Sequence, residues 1–354
     1  MNSVFIRVNG RGNAWPVFIG SKHPFYDSAR PDDLGNASYS IIGANNNQLN
    51  YTDITWEILI DAGNNTVPYI IRNENRIPET IVLTHSHMDH TVGIDWVAQS
   101  YVHLNNYKKK YPLYSTLPCW EAVRKSYQQL EEIIDFKELI PGKKKKITEV
   151  PDMFVTAYPV FHGNSGFGAS LLLFEHQYDN NLSAKAVFTG DMLTPLLRTK
   201  DYPVLAKAKV IYIDCNNRFP YPYTNHESFI PFYPVNNSIS EYLSDWKSKL
   251  DITTLLAPHL QIPYNNNVNA YFSEFLKENP DASNLVFSII DFLKKCRIPV
   301  VNLIHYSGYE DQNIYHQKIL IDNDLEMWAN EISRKENIDS QVVVPKAGNI
   351  FKLI

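Results

Sequence analysis

Three histidines and one aspartate fall within six consecutive residues, His85-Ser86-His87-Met88-Asp89-His90. The apolar, β-branched run before them, Ile81 to Thr84, predicts a buried strand, and the pattern from Gly93 to Lys110 predicts an amphipathic helix. The cluster is therefore predicted to lie on a strand-to-helix loop. Neutral imidazole nitrogens and carboxylate oxygens are ligands that zinc and other borderline cations accept. A cluster without thiolates favours a catalytic site over a closed structural one.

The backbone of such a loop can divide these ligands between two metals. On an extended segment, His85 and His87 can point to one ion, while Asp89 and His90 turn toward a second. The alternative is a polar loop whose histidines are incidental. Because so dense a cluster is rarely structural, the sequence favours the metal site.

Composition excludes several classes of function. The chain has 354 residues, 44% hydrophobic and 20% charged, which is ordinary for a globular protein of one large or two smaller domains. Its formal net charge of -5 gives no electrostatic advantage for binding long nucleic acid. No signal peptide is apparent, and no window approaches the roughly 18 apolar residues of a membrane span. The three cysteines are scattered, so neither a disulfide framework nor a cysteine zinc site is expected, and a reducing, cytoplasmic location is predicted.

Predicted strands and helices follow one another along the whole chain. Beyond the strand at 81–84, strands are predicted at 3–8, 37–42, 56–60, 113–116, 154–160, 169–175, 186–188, 210–213, 253–256, 299–304 and within 341–354. Beyond the helix at 93–110, helices are predicted at 121–134, 239–249, 285–295 and 326–334. No linker or repeat divides the chain, so we predict a single domain over 1–354 with an extra helix-strand unit around 253–298. Strands dominate two regions, each followed by helices, which favours a four-layer αβ/βα sandwich.

Further ligand types stand at the ends of other predicted strands. His162, Asp191 and His305 each follow an apolar run and precede small or polar residues. Since loops at one edge of a rigid sheet converge, these residues can join the cluster. Taken alone, each could equally be a metal ligand or an ordinary core or loop residue. Together with the cluster, they bring the candidate ligands to seven.

These motifs resemble those of the metallo-β-lactamase fold superfamily. Its His-x-His-x-Asp-His motif matches residues 85–90, its third-motif histidine matches His162, its bridging aspartate matches Asp191, and its last histidine matches His305. The resemblance implies an α/β fold, the four-layer αβ/βα sandwich of the metallo-β-lactamase type, and two zinc ions, with manganese or iron as alternatives. It implies the following ligand sets: His85, His87 and His162 on one ion, Asp89, His90 and His305 on the other, and Asp191 bridging both.

The last ligand has a competitor. His259 also closes a predicted strand, and a helix-strand unit separates it from His305. We favour His305 because the Tyr-Ser-Gly that follows it, the next helix and the terminal strands resemble the usual end of the fold. His259 is then a substrate or loop residue.

The implied chemistry is hydrolysis. Two divalent ions lower the pKa of a shared water, so that a metal-bridging hydroxide exists near neutral pH. Asp191 and the absence of cysteine ligands resemble the phosphodiesterase and ribonuclease Z branch, as does the Gly10-Arg11-Gly12-Asn13-Ala14 loop. Ribonuclease Z carries a long basic arm between the residues that match His162 and Asp191, and here that interval is short. The predicted substrate is therefore a small nucleotide, a cyclic nucleotide or another small phosphodiester, and long nucleic acid is disfavoured.

Asp89 and His226 are the predicted catalytic residues. His226 resembles the family's histidine-loop acid, with Glu227 available to fix its tautomer, although an exposed loop histidine is the alternative. The predicted substrate-binding residues are Asn164, Ser165, Arg218, Tyr223 and His259. The Pro- and Tyr-rich segment 219–235 is equally consistent with a packed lid.

Other functions fit the same motifs. They are a ribonuclease Z-like RNA endonuclease, a metal-dependent thioesterase or lactonase, and a non-catalytic nucleotide-binding protein on the same fold. The resemblance also leaves a homodimer open, and no membrane partner is expected.

Overall fold

Two mixed β-sheets lie face to face in the computed structural model of the chain. It describes residues 3–13, 35–162, 166, 168–179, 182–216, 226, 266–280, 289–306, 308 and 318–354. The first sheet has the strand order β15-β1-β2-β3-β4-β5-β6. Its strands are β1 (Ser3–Gly10), β2 (Ser38–Ala44), β3 (Ile54–Ile60), β4 (Thr80–Val82), β5 (Tyr111–Ser115), β6 (Ile134–Glu138) and β15 (Ile350–Lys352). Antiparallel pairing from β15 to β3 gives way to parallel pairing from β3 to β6.

The second sheet has the strand order β11-β8-β9-β10-β12-β13-β14, with β7 paired to β8. Its strands are β7 (Lys145–Lys146), β8 (Met153–Phe161), β9 (Ser170–Asp179), β10 (Leu182–Phe188), β11 (Thr194–Pro195), β12 (Val210–Asp214), β13 (Val300–Ile304) and β14 (Gln341–Val343). The strands from β10 to β14 are parallel, so their carboxyl ends share one edge.

Helices cover the outer face of each sheet. The described helices are Thr66–Glu74, Met88–Thr91, Ile94–Leu104, Leu117–Ser126, Leu130–Ile133, Tyr202–Leu205, Asn266–Glu278, Ile289–Cys296 and Asp322–Lys335, with a 3-10 turn at Tyr51–Asp53. One apolar core lies between the sheets, where Ile6 and Ile58 meet Phe174 and Phe188. Two further apolar cores lie on the outer faces of the sheets, one between each sheet and the helices that cover it. This arrangement confirms the predicted four-layer αβ/βα sandwich. None of the described helices is long and apolar enough to cross a membrane.

Two predicted helices extend too far along the chain, and the helix predicted at 326–334 begins earlier, at Asp322. The helix predicted to run to Lys110 ends at Leu104, because Asn106 and Tyr107 adopt left-handed φ angles of 50° and 59° that turn the chain into β5. The helix predicted at 121–134 breaks after Ser126. After the short helical turn Leu130–Ile133, Ile134 begins β6, so its apolar side chain belongs to a strand. The predicted helix at 239–249 and strand at 253–256 lie outside the described residues.

A buried ion pair joins the first sheet to its covering helix. Arg7 on β1 contacts Glu57 on β3 at 2.8 Å and also Glu74 at the end of the helix Thr66–Glu74, and all three side chains have no exposed area. Its Nη2 also donates to Ser40 Oγ on β2. One guanidinium therefore compensates two carboxylates where water cannot reach them.

Replacing Arg7 should destabilise the fold, because the buried carboxylates lose the positive charge beside them. We expect Arg7→Ala to lower the free energy of unfolding by about 3–5 kcal/mol, because it removes the partner of the buried Glu74 and leaves Glu57 with the more distant Arg76, at 3.9 Å. Urea denaturation followed by circular dichroism measures the change. The control is Arg124→Ala, which removes an exposed pair with Glu121 and Glu131 and should barely move the midpoint. Equal midpoints for the two variants would show that the buried ion pair stabilises the fold no more than the exposed pair does.

Candidate metal centre

The histidine-rich motif lies where the sequence places it, after β4 and across the start of a helix. His85 and His87 stand on the segment before that helix, and His87 has the extended φ and ψ angles of -64° and 151°. Asp89 and His90 occupy the first turn of Met88–Thr91. Extended and helical backbone therefore direct the two halves of the motif differently.

Three other strand ends bring their residues to the same place. His162 follows β8, Asp191 follows β10, and His305 follows β13. All three side chains are buried. Gly190, just before Asp191, has a φ angle of 56°, and His305 itself has 73°. These left-handed residues turn the chain sharply after β10 and β13 and direct Asp191 and His305 inward.

The first group of ligand atoms surrounds one oxygen of Asp191. Asp191 Oδ2 lies 3.6 Å from His85 Nε2 and 3.7 Å from His162 Nε2. His162 Nε2 lies 3.1 Å from His87 Nδ1. These four residues form one set of atoms able to hold a metal ion.

The second group surrounds the other oxygen. Asp191 Oδ1 lies 3.2 Å from His90 Nε2 and 3.5 Å from His305 Nε2. Asp89 Oδ2 closes the group, 3.5 Å from His90 Nε2 and 3.4 Å from His305 Nε2. One carboxylate is thus shared between two sets of nitrogen and oxygen atoms.

The donor atoms fit a pair of divalent cations. Bonds of about 2.0–2.1 Å in tetrahedral geometry place neighbouring ligand atoms roughly 3.3 Å apart, which is close to the separations in both groups. Within the described part of the chain, the Nε2 atoms of His85 and His90 are buried and have no hydrogen-bond partner. Buried nitrogens seldom remain unsatisfied, and here an ion would satisfy them. Imidazole with carboxylate suits zinc, and manganese or iron as well.

Burial keeps the first group's imidazoles neutral. It holds the pKa of His85 well below its usual value and lowers the pKa of His162 to about 3. Neutral imidazole is the form that binds a metal. This group therefore needs little loss of protons to accept an ion.

The second group is dominated by negative charge. Burial opposes the ionised form of Asp89, but His90 and His305 outweigh it and lower its pKa to about 2. Burial also opposes the charged form of His305, but Asp191 and Asp214 outweigh it and raise its pKa to about 10. The ionised carboxylates are therefore stabilised by positive charge nearby. A bound cation would supply that charge in place of the protons on the histidines.

Sequence reasoning missed Asp61, which orients the motif. Asp61 Oδ2 lies 2.8 Å from His90 Nδ1, so His90 turns Nε2 toward the second group. Asp61 also accepts hydrogen bonds from the backbone N–H and the hydroxyl of Thr84, and Thr84 Oγ1 lies 3.1 Å from His85 Nδ1. Such outer partners fix the ring orientation of ligating histidines. The available signal was an aspartate that ends an apolar strand before Gly63.

Asp214 is a second residue that the sequence left without a role. It ends β12, and its Oδ2 lies 2.5 Å from His226 Nδ1, while its Oδ1 lies 3.5 Å from His305 Nδ1. His226 Nε2 then faces Asp191 Oδ2 at 3.9 Å. Asp214, His226, His305 and Asp191 could also hold a cation. The 2.5 Å contact is a hydrogen bond, however, so Asp214 is better placed to orient the imidazole of His226 than to hold an ion.

The predicted substrate-binding residues cannot be placed. Asn164, Ser165, Arg218, Tyr223 and His259 lie outside the described residues, as does Glu227. The choice of His305 over His259 stays a prediction, although the structure does bring His305 into the second group.

Several solved structures have a similar fold. A diphosphatase from the PhnP family aligns with a TM-score of 0.58 at 13% identity, over 98% of this chain and 97% of its own. YhfI from Bacillus subtilis, a metallo-β-lactamase fold protein, aligns with 0.55 at 11%, over 99% and 100%. A long-form RNase Z from yeast aligns with 0.50 at 12%, over 99% of this chain and 42% of its own. These similarities confirm the predicted metallo-β-lactamase fold.

Comparison of sequences identifies the family. No curated protein matches the chain. The model of the family described as Anti-Pycsar protein Apyc1 matches residues 34–242, more than half of the chain. That range holds six of the seven predicted ligands, from His85 to Asp191, together with Asp214 and His226, whereas His305 lies beyond it. The chain therefore belongs to the Anti-Pycsar protein Apyc1 family.

Proposed function

We propose that this chain is a dinuclear, zinc-dependent phosphodiesterase that acts on a small nucleotide. The observation that carries this proposal is the division of Asp191 between two groups of buried ligand atoms. Two of the similar structures are named as a diphosphatase and an RNase Z, and both names denote cleavage at phosphorus.

The small size of the substrate follows from charge and chemistry. A formal net charge of -5 offers little attraction to a long polyanion. Cyclic mononucleotides are the smallest nucleotides that contain a phosphodiester, so we place them first among candidate substrates. Localisation in the cytoplasm, where such nucleotides occur, is part of the same proposal.

The proposed ligands form two sets, one for each ion. One ion would be held by His85, His87 and His162, the other by Asp89, His90 and His305, with Asp191 between. When bound, two zinc ions supply Lewis acidity at the phosphoryl oxygens and lower the pKa of a water molecule toward neutrality. The hydrogen bond with Asp61 would keep the ring of His90 turned toward its ion, and the carboxylate of Asp214 lies 3.5 Å from Nδ1 of His305.

His226 is the proposed general acid. Asp214 accepts the Nδ1 proton of His226, which leaves Nε2 facing the centre. Burial opposes the charged ring, but the carboxylates of Asp214 and Asp191 outweigh it and raise the pKa of His226. This shift favours the imidazolium, which can donate its Nε2 proton to the leaving oxygen.

Metal content tests the ligand set. Elemental analysis should find two zinc ions per wild-type chain and at most one in Asp191→Ala, because that variant loses the oxygens that both ions share. His103→Ala removes an exposed histidine on the helix Ile94–Leu104 and should retain both. Two ions in Asp191→Ala, or fewer than two in the wild-type chain, would refute the dinuclear centre.

A substrate panel tests the reaction. Zinc-loaded protein should hydrolyse bis-p-nitrophenyl phosphate and 3′,5′-cyclic nucleotides, and it should act far more slowly on precursor transfer RNA, thioesters and lactones. Product formation is followed by chromatography for each compound. A protein that cleaves thioesters or lactones but no phosphodiester belongs to the acyl-hydrolysing alternative. One that binds cyclic nucleotides without turnover is a binding protein.

The role of His226 can be separated from that of the metal ligands. We expect His226→Ala to lower kcat for a cyclic nucleotide by about 10²- to 10⁴-fold, since the sugar oxygen needs a proton to leave. The loss on bis-p-nitrophenyl phosphate should be much smaller, because nitrophenolate leaves without one. Zinc content should be unchanged. Equal losses on both substrates would assign His226 to positioning instead of proton transfer.

A further inference from the structure

The backbone of His305 is held in an unfavourable conformation. Its φ angle of 73° lies in the left-handed region, which costs a residue with a Cβ about 1–3 kcal/mol unless its surroundings enforce it. His305 immediately follows β13, where regular pairing with β12 stops at Ile304. Something other than the sheet must therefore hold this residue.

That support comes from the first loop of the chain. The backbone N–H of His305 donates to the carbonyl oxygen of Arg11 at 2.9 Å. Arg11 is itself fixed, because its N–H and that of Gly12 both donate to Gly35 O, at 3.1 and 2.9 Å. The loop after β1 thus presents a carbonyl at a defined position beneath the second group of ligands.

The side chain of Arg11 connects this loop to the end of the chain. It is 2% exposed, and its Nη1 donates to Pro345 O at 3.2 Å and pairs with Asp322 Oδ1 at 3.0 Å. Asp322 opens the helix Asp322–Lys335, where the helix dipole favours a negative charge. A buried guanidinium needs such partners, so these contacts fix where Arg11 can lie.

We propose that Arg11 is a positioning residue for His305, and that the Arg11–Asp322 pair thereby sets the affinity of the second metal. The inference rests on the proposed function, which makes His305 a ligand. The carbonyl of Arg11 is hydrogen-bonded to His305, which belongs to the second group of ligands and not to the first. Loosening Arg11 should therefore weaken the ion held by His305 and leave the first ion unaffected.

Zinc titration of metal-free protein, in a competing chelator and read by calorimetry, tests this selectivity. Wild-type protein should show two sites. Arg11→Ala and Asp322→Asn should leave the first affinity unchanged and weaken the second about 10- to 100-fold, the usual effect of losing a partner that orients a ligand. Arg11→Lys keeps the charge opposite Asp322 and should recover part of that loss.

Lys346→Ala is the matched control. Lys346 is 49% exposed and pairs with the other oxygen of Asp322 at 3.5 Å, so both affinities should be unchanged. The unfolding midpoint of each metal-free variant separates a selective effect from general destabilisation. Asp322→Asn changes only a partly exposed side chain and keeps the test valid if Arg11→Ala does not fold.

The outcomes are distinct. Two unchanged affinities in Arg11→Ala and Asp322→Asn, or equal weakening of both sites, would overturn the positioning role while the proposed function stands. A wild-type chain that binds fewer than two zinc ions would overturn the proposed function, and this inference with it.

Discussion

The carboxylate of Asp191 is the group on which the centre depends. It is 3% exposed, and its two oxygens face opposite sets of imidazoles, His85 and His162 on one side and His90 and His305 on the other. Burial opposes its ionisation, but the neighbouring histidines, with His305 and His90 foremost, hold its pKa well below the usual value. An ionised carboxylate at this depth is stable only beside positive charge. The sandwich meets that condition by bringing strand ends of both sheets to one edge.

Sharp turns at those strand ends make the convergence possible. Asp61, Gly190 and His305 follow β3, β10 and β13, and all three have left-handed φ angles, of 54°, 56° and 73°. A Cβ atom at Gly190 would lie 2.6 Å from the side chain of Thr84, so the loops from the two sheets meet there in close contact. Unfavourable backbone at Asp61 and His305 is retained because the surrounding structure enforces it, as is common at functional sites. The apolar cores on either side of each sheet supply the rigidity that this requires.

How much of this was predictable depends on how local each signal is. Residues 85–90 carry four candidate ligands in one stretch, so their grouping could be predicted without knowledge of the fold. His162, Asp191 and His305 could be added because each follows a recognisable apolar run. Asp61 and Asp214 also end strands, but an aspartate at a strand end is indistinguishable from an ordinary turn until its partners are known. Their histidine partners lie 29 and 12 residues away in sequence, and only the tertiary structure brings them together.

The same reasoning explains why the helix predicted at 121–134 was wrong although the sandwich was predicted correctly. Val123 in the helix, Leu130 after it and Ile134 in β6 are all buried in one apolar core, and periodicity cannot separate helix from strand over so few residues. Fold class depends on the order of elements, which survives an error of several residues at an end. A metal centre depends on single residues at strand ends, so there a strand boundary matters far more.

Asp214 repeats at the next strand the arrangement that Asp191 has at its own. β10 and β12 are parallel neighbours, and their pairing ends at Phe188 and Tyr212. Asp191 and Asp214 follow shortly after those two residues. Each carboxylate faces two partners. Asp191 lies between the two proposed ions, and Asp214 contacts both His226 and His305. Because adjacent strands lie about 4.8 Å apart, this pairing brings the ends of β10 and β12 close together, and the two aspartates with them. In the proposed mechanism, the general acid is then located relative to the metals by Asp214, whose Oδ2 lies 2.5 Å from His226 Nδ1.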